Sequence, residues 1–239
     1  MDERPVTIFA TCVVEIMRPS IADASVRALR NAGYRATPAR GATCCGQPAA
    51  NAGASDAARR VARQTLRSLA KTDTPIVVPS GSCTTMIRHH WPQLFAGTRD
   101  EAAARAVAAR TYELTEFLAT EPPVVPSTAA PKGSVVYHPS CHLTRELDVV
   151  EPPHAALRAA GYAVETLDDD ERCCGFGGTF SVTFPDVSVA MADEKLDAAT
   201  ARDAGTITSC DLSCLIHLEG RAIARGLALQ FPHVAELLV

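Results

Sequence analysis

Short apolar runs alternate with amphipathic stretches along the whole chain. Residues 6–11 form an apolar run of strand length that ends at Cys12. From Ser20 the apolar positions recur at helical spacing, Ile21, Ala24, Ala28, Leu29 and Ala32, behind a capping-box-like Ser20–Asp23 start, and Gly33 stops the helix. Residues 34–38 read as a short strand. Residues 55–70 read as a second amphipathic helix with Ala58, Val61, Ala62, Leu66 and Leu69 inward. Pro75 and Pro79 bracket the strand 76–78, a helix opens at Cys83 and runs to about His90, and 99–120 reads as one long helix with Ala104, Val107, Ala108 and Leu118 on one face.

The pattern then breaks. Residues 121–133 are rich in Pro, Ser and Ala without periodicity and read as a linker between a first repeat, 1–120, and a second, 134–239. The second stretch replays the first: strand 134–138, helix 153–160, strand 162–167, helix 185–204, strand 206–209, helix 214–225, then a strand at 227–231 and a terminal helix. Strands alternating with helices predict an α/β fold of two pseudo-symmetric repeats, each a small, mostly parallel sheet flanked by helices. In such sheets functional groups gather beyond the carboxyl ends of the strands. Cys12, Cys83, Cys141 and Cys210 or Cys214 each follow a predicted strand and should gather at that rim.

The cysteines carry the same repeat. Cys12 is followed after 31 residues by Cys44-Cys45-Gly46, and Cys141 after 31 residues by Cys173-Cys174-Gly175. The differences 141 − 12, 173 − 44 and 174 − 45 are each 129. Cys83 corresponds to Cys214, and Ala32-Gly33-Tyr34 to Ala160-Gly161-Tyr162, with small shifts that place insertions in loops. The chain is therefore two related halves, each presenting a set of thiols.

Composition narrows the chemistry. The 239 residues are 47% hydrophobic and 21% charged, enough for a substantial core, with a formal net charge of −4. That balance lacks the dense Lys/Arg footprint of a nucleic-acid surface, and Arg59, Arg60, Arg63 and Arg67 read as the solvated face of one helix. No signal peptide and no run near ~20 apolar residues is evident, so a soluble, cytoplasmic protein without a membrane span is expected. Nine cysteines in a reducing compartment point to metal or redox chemistry instead of a disulfide framework.

Each half offers four thiols, Cys12, Cys44, Cys45 and Cys83, then Cys141, Cys173, Cys174 and Cys214. Four thiolates suit an iron–sulfur cluster or structural zinc, and zinc in one half with a cluster in the other fits the same count. Adjacent cysteines face opposite ways in a strand, so each pair needs a turn, for which Gly46 and Gly175 supply permissive backbone. Cys83 and Cys214 fall at predicted helix N-termini, where thiolate is favoured. Cys210, four residues before Cys214, reads as a fifth ligand, a redox thiol or a core residue. His138 and His142 flank Cys141 in a string that lacks the first cysteine of a haem-attachment motif; they are placed to bond cluster sulfurs or relay protons. His142 and Arg145 are the candidate catalytic groups if a substrate meets the second set. Gly175, Gly177 and Gly178 lack the full dinucleotide pattern and suit a backbone cap over a cluster.

At these residues the chain resembles known proteins. The repeated Cys-Cys-Gly elements resemble the cysteine-rich domain found in heterodisulfide reductase (its B chain) and in anaerobic glycerol-3-phosphate dehydrogenase (its C chain). The strings from Cys44 (Cys-Cys-Gly-Gln-Pro-Ala), Pro79 (Pro-Ser-Gly-Ser-Cys), Thr111 (Thr-Tyr-Glu-Leu-Thr), His138 (His-Pro-Ser-Cys-His) and Cys173 (Cys-Cys-Gly-Phe-Gly-Gly-Thr-Phe) are similar to the lactate utilisation protein A family over essentially the whole chain. That resemblance implies a cytosolic iron–sulfur protein of a three-component system oxidising L-lactate to pyruvate, with partners resembling lactate utilisation proteins B and C. In the wider cysteine-rich family each repeat ends in Cys-x-x-Cys, whereas here Ser80 and Asp211 occupy the first of those positions. The departure favours a four-thiolate [4Fe–4S] centre and an electron-transfer subunit over a disulfide-cleaving catalyst. A thiol–disulfide reductase subunit and a zinc-stabilised interaction module remain as alternatives at this level.

Overall fold

The computed structural model describes residues 4–120, 131–167, 172–202 and 204–239. The chain divides into two compact units, Met1–Pro122 and Pro123–Val239. The first unit is built on strands β1 (Arg4–Ile8), β2 (Tyr34–Pro38), β3 (Ile76–Val78) and β4 (Thr111–Glu113), ordered β2-β1-β3-β4 and all parallel. Its helices are α1 (Cys12–Met17), α2 (Ser20–Asn31), α3 (Gln47–Asn51), α4 (Ser55–Leu69), α5 (Gly81–Thr85), α6 (Trp91–Leu94), α7 (Glu101–Ala108) and α8 (Leu114–Ala119). Between α5 and α6 the helix continues through a π-helical stretch, Met86–His90. Ile76, Val77 and Val78 are all fully buried, as expected of a central parallel strand covered on both faces.

The second unit repeats the arrangement with β5 (Gly133–Tyr137), β6 (Tyr162–Glu165) and β7 (Ile207–Thr208), ordered β6-β5-β7 and again parallel. Its helices are α9 (Cys141–Arg145), α10 (Glu151–Ala159), α11 (Phe180–Thr183), α12 (Pro185–Thr200), α13 (Leu212–Ala224) and α14 (Val234–Leu237). The two α/β units with parallel sheets match the pseudo-symmetric fold expected from the sequence. The correspondence reaches single hydrogen bonds: Phe9 N donates to Val77 O at 3.0 Å, and His138 N donates to Thr208 O at 2.8 Å. Among the described residues no helix is long and apolar enough to cross a membrane.

Several elements differ from the periodicity. The long helix read over 99–120 is two helices with a strand between them. Thr111 and Tyr112 favour strand, β3 offers an open edge for β4, and the Arg110 guanidinium is anchored by the carbonyls of Thr74 and Leu69 at 2.6 and 2.7 Å. Ser20 lies inside α2 with Pro19 at the N-cap, so the expected Ser20–Asp23 box does not form there. Capping boxes instead start α8, between Glu113 and Glu116, and α14, between His233 and Glu236. Val61, expected inward, is 43% exposed, and Thr65 takes the buried place on α4. The strand expected at 227–231 is reduced to two bridges, Thr206 with Gln230 and Ser209 with His233. Of the linker expected at 121–133, positions 121–130 lie outside the described residues, and Gly133 already belongs to β5.

The α8 cap carries a measurable consequence. Glu113 is fully buried, and its Oε2 accepts from Thr115 N at 2.6 Å and Thr115 Oγ1 at 2.5 Å, while Oε1 has no partner among the described residues. Burial pushes its carboxyl up from an ordinary 4.5 to about 7, against the lowering effect of those donors. Below pH 4.5 the group is protonated in both folded and unfolded chains. As pH rises towards 7 the unfolded chain ionises while the folded chain keeps its proton, so stability falls by roughly 3 kcal/mol and then levels off. Urea unfolding of the metal-free protein between pH 4.5 and 8 should show this slope, and Glu113→Gln should remove most of it; equal slopes in both proteins would contradict the assignment.

Candidate metal centres

In each unit the helices that follow the first and third strands in chain order deliver one cysteine each, and a loop delivers the adjacent pair. Cys12 is the first residue of α1, behind Thr11, whose hydroxyl accepts from Val14 N at 3.4 Å. Thr11 holds φ 68°, a left-handed backbone that a β-branched residue adopts only under tertiary constraint. Cys83 lies in the first turn of α5, where Ser80 is the N-cap and its Oγ accepts from Cys83 N at 3.2 Å. Ser80 thus serves to cap the helix that carries Cys83. In the second unit Cys141 opens α9 and Cys214 lies in the first turn of α13, behind Asp211, whose Oδ2 accepts from Ser140 Oγ at 2.5 Å.

The double cysteines are turned by their glycines. Gly46 and Gly175 adopt φ 91° and 92°, and each amide donates to the sulfur two residues earlier, Cys44 or Cys173, at 3.4 Å in both cases. Each glycine also lies against a helix backbone. A Cβ on Gly46 would meet Ala58 O at 2.7 Å, and one on Gly175 would collide with Ser188 O. Three further bonds hold these loops. Thr65 Oγ1 donates to Cys44 O, Trp91 Nε1 donates to Cys45 O, both at 2.9 Å, and Ser188 Oγ donates to Gly175 O at 2.8 Å. None of Thr65, Trp91 and Ser188 is marked by periodicity; a threonine on an otherwise apolar helix face was the one available signal.

The result is a continuous string of thiols in each unit. The free thiols of Cys12 and Cys45 both interact with that of Cys44, and Cys45 Sγ lies 3.2 Å from Cys83 Sγ. Cys141, Cys173, Cys174 and Cys214 form the same string. The outer pair, Cys12 with Cys44 or Cys141 with Cys173, is half-buried, and the inner pair is buried. Hydrogen bonds from Cys12 and Cys45, with help from the Gly46 amide, pull the Cys44 thiol down to about 3; those from Cys141 and Cys174 pull Cys173 down to about 2. The neighbours that donate, Cys12, Cys45, Cys141 and Cys174, are pushed up by those same bonds and by burial. Each set therefore stabilises one thiolate at neutral pH and places further thiols beside it. A string of neighbouring thiols, partly dehydrated and supplied with backbone donors, suits a thiolate-bound metal centre.

The other candidate residues separate. Cys210 is fully buried in the apolar cluster with Val135, Tyr137 and Leu143, and its sulfur accepts from the Tyr137 hydroxyl at 3.6 Å. His142 Nδ1 lies 3.7 Å from Cys141 Sγ, and its Nε2 lies 3.7 Å from Glu146 Oε1. Arg145 is exposed one turn further along α9. His138, at the end of β5, is fully buried, with its ring, Cys174 and Cys214 presenting ligand atoms all within 4.8 Å of one another. Burial, with Lys195 nearby, pushes this imidazole down to about 3, so it is neutral.

Two parallel-sheet units, each with the same four-thiol string, define a protein of tandem cysteine-rich domains. The family model described as "Cysteine-rich domain" matches residues 6–88 and 135–219, the two halves of the repeat. The full chain is 37% identical to "Lactate utilization protein A" of Geobacillus kaustophilus over 235 residues, covering 98% of both proteins. It is 37% identical to the protein of that name from Exiguobacterium sp., over 98% of this chain and 96% of the relative, and 35% identical to that of Macrococcus caseolyticus, over 98% and 95%. The chain belongs to the lactate utilization protein A family.

Proposed function

We propose that each thiol string holds an iron–sulfur cluster and that the protein carries electrons within a cytoplasmic system that uses L-lactate, oxidising it to pyruvate together with partners resembling lactate utilisation proteins B and C. The observation that carries this reading is the repetition, in both units, of a string of four neighbouring thiols around a Cys-Cys-Gly turn. The family name supports lactate as the source of electrons. In the first unit Cys12, Cys44, Cys45 and Cys83 would be the ligands, and in the second Cys141, Cys173, Cys174 and Cys214, with a [4Fe–4S] centre the form that four thiolates favour. Such a centre supplies reversible one-electron chemistry at a potential set by its surroundings.

The protein's own groups account for that setting. The Gly46 and Gly175 amides aim N–H groups at a ligand sulfur, which stabilises negative charge there. The α5 and α13 N-termini add their dipoles beside Cys83 and Cys214. The half-buried outer thiols leave each set a way to the surface, which electron exchange with a partner requires, while the buried inner pair limits access of water and oxidants. A carrier of this kind does not oxidise a 2-hydroxy acid alone. Anaerobic mixing should show no reduction of the isolated protein by L-lactate and rapid bleaching of its visible absorbance when both partner proteins are added. Bleaching by lactate without partners would instead make this chain the catalyst, with His142, beside Cys141, and Arg145 the groups to test.

A further inference from the structure

The two thiol strings are alike, but the residues around them are not. Phe9 and His138 occupy the same place: each follows the central strand of its sheet, and each donates its amide to the equivalent carbonyl, Val77 O or Thr208 O. Phe9 packs in the apolar cluster that contains Cys45 and Cys83. In the second unit that place beside Cys174 and Cys214 is filled by an imidazole.

His138 is 1% exposed, and neither Nδ1 nor Nε2 has a hydrogen-bond partner among the described residues. A buried polar group left unsatisfied costs about 1–3 kcal/mol. A phenylalanine there, as in the first unit, would avoid that cost. The unpaired ring is instead aimed at two thiols, with all three ligand atoms within 4.8 Å of one another. Neutral imidazole and thiolate are both good ligands for iron, and a nitrogen bound to metal is no longer unsatisfied.

We infer that His138 is a direct ligand of the second metal centre, taking one of the four positions that the thiols of its string would otherwise fill, so that three thiols and one imidazole bind there where the first unit uses thiols alone. The inference rests on the iron–sulfur reading above. Its consequence is a division of labour. Exchanging anionic thiolate for neutral imidazole at an iron raises its reduction potential, so the two centres differ in potential and electrons settle on the second. The buried Lys195 near His138 acts in the same direction, by stabilising added negative charge.

The test uses the full chain labelled with nitrogen-15 at histidine, reconstituted anaerobically with ferrous iron and sulfide, reduced, and examined by electron–nuclear hyperfine spectroscopy. The expected result is a strong coupling to a histidine nitrogen in the wild-type protein. His138→Phe, which copies the first unit, should lose that coupling and keep the first centre, and His138→Cys should lose it while lowering the potential of the second centre. Iron and sulfide bound in both units with no histidine coupling in the wild-type protein overturns the inference, whatever the variants do. A coupling that survives in His138→Phe overturns it equally. A protein that takes up neither iron nor sulfide contradicts the iron–sulfur reading, and this inference with it.

Discussion

Alanine at Gly46 or Gly175 is expected to dismantle one thiol set and leave the other intact. A residue with a Cβ at φ near 90° pays roughly 1–2 kcal/mol for its backbone alone. The added carbon would also meet a helix carbonyl, Ala58 O at 2.7 Å or Ser188 O closer still, which overpacks a site where backbone must move, at about 1–3 kcal/mol. The loop that turns the double cysteine then shifts, and with it the amide that bonds the first sulfur. Gly53 supplies the control. It has a comparable φ of 74°, but a Cβ there meets nothing within 4 Å, so Gly53→Ala should carry the backbone cost only. Urea unfolding of the metal-free proteins should rank Gly175→Ala and Gly46→Ala well below Gly53→Ala. Metal analysis should show each of the first two losing about half its iron. Equal losses of stability in all three would contradict the close-packed role of these two glycines.

Serine at Cys45 or Cys174 should have the larger effect on metal and a smaller one on the fold. Each sulfur sits inside its string, with a thiol neighbour on either side, and each is buried. A hydroxyl fits the space but is a poor ligand for iron, so one centre should be lost while the other loads normally. Cys210→Ser makes the informative contrast. That sulfur lies in the apolar core beside the Tyr137 hydroxyl, so its loss should cost about 1 kcal/mol of stability and no iron. Loss of iron in Cys210→Ser would restore the fifth-ligand role that its spacing from Cys214 suggests.

The sequence exposes the sites more fully than the elements that support them. The 129-residue offset of the cysteines is directly legible, because the spacing within the repeated elements is kept while loops absorb insertions. Apolar runs such as 76–78 are equally plain, since a strand covered on both faces has no polar position to confuse it. Local periodicity misleads where tertiary partners decide the outcome. Ala104, Val107 and Ala108 carry a true helical stripe, but the open edge of β3 and the anchoring of Arg110 convert the next residues to strand. Thr65 displaces Val61 from the buried face because its hydroxyl serves the carbonyl of Cys44, a need created only when the loop folds back. The exchange of Phe9 for His138 is present in the aligned repeats. What cannot be read there is that both ring nitrogens are buried without partners beside two sulfurs.

The central claim is that both thiol strings bind iron–sulfur clusters, and the most direct measurement is the iron and acid-labile sulfide content per chain after anaerobic reconstitution. The account predicts roughly equal iron and sulfide in the wild-type protein, about half of each in Cys45→Ser and in Cys174→Ser, and none in the double variant. Stoichiometric zinc with neither iron nor sulfide, or loading that survives both substitutions, would contradict it.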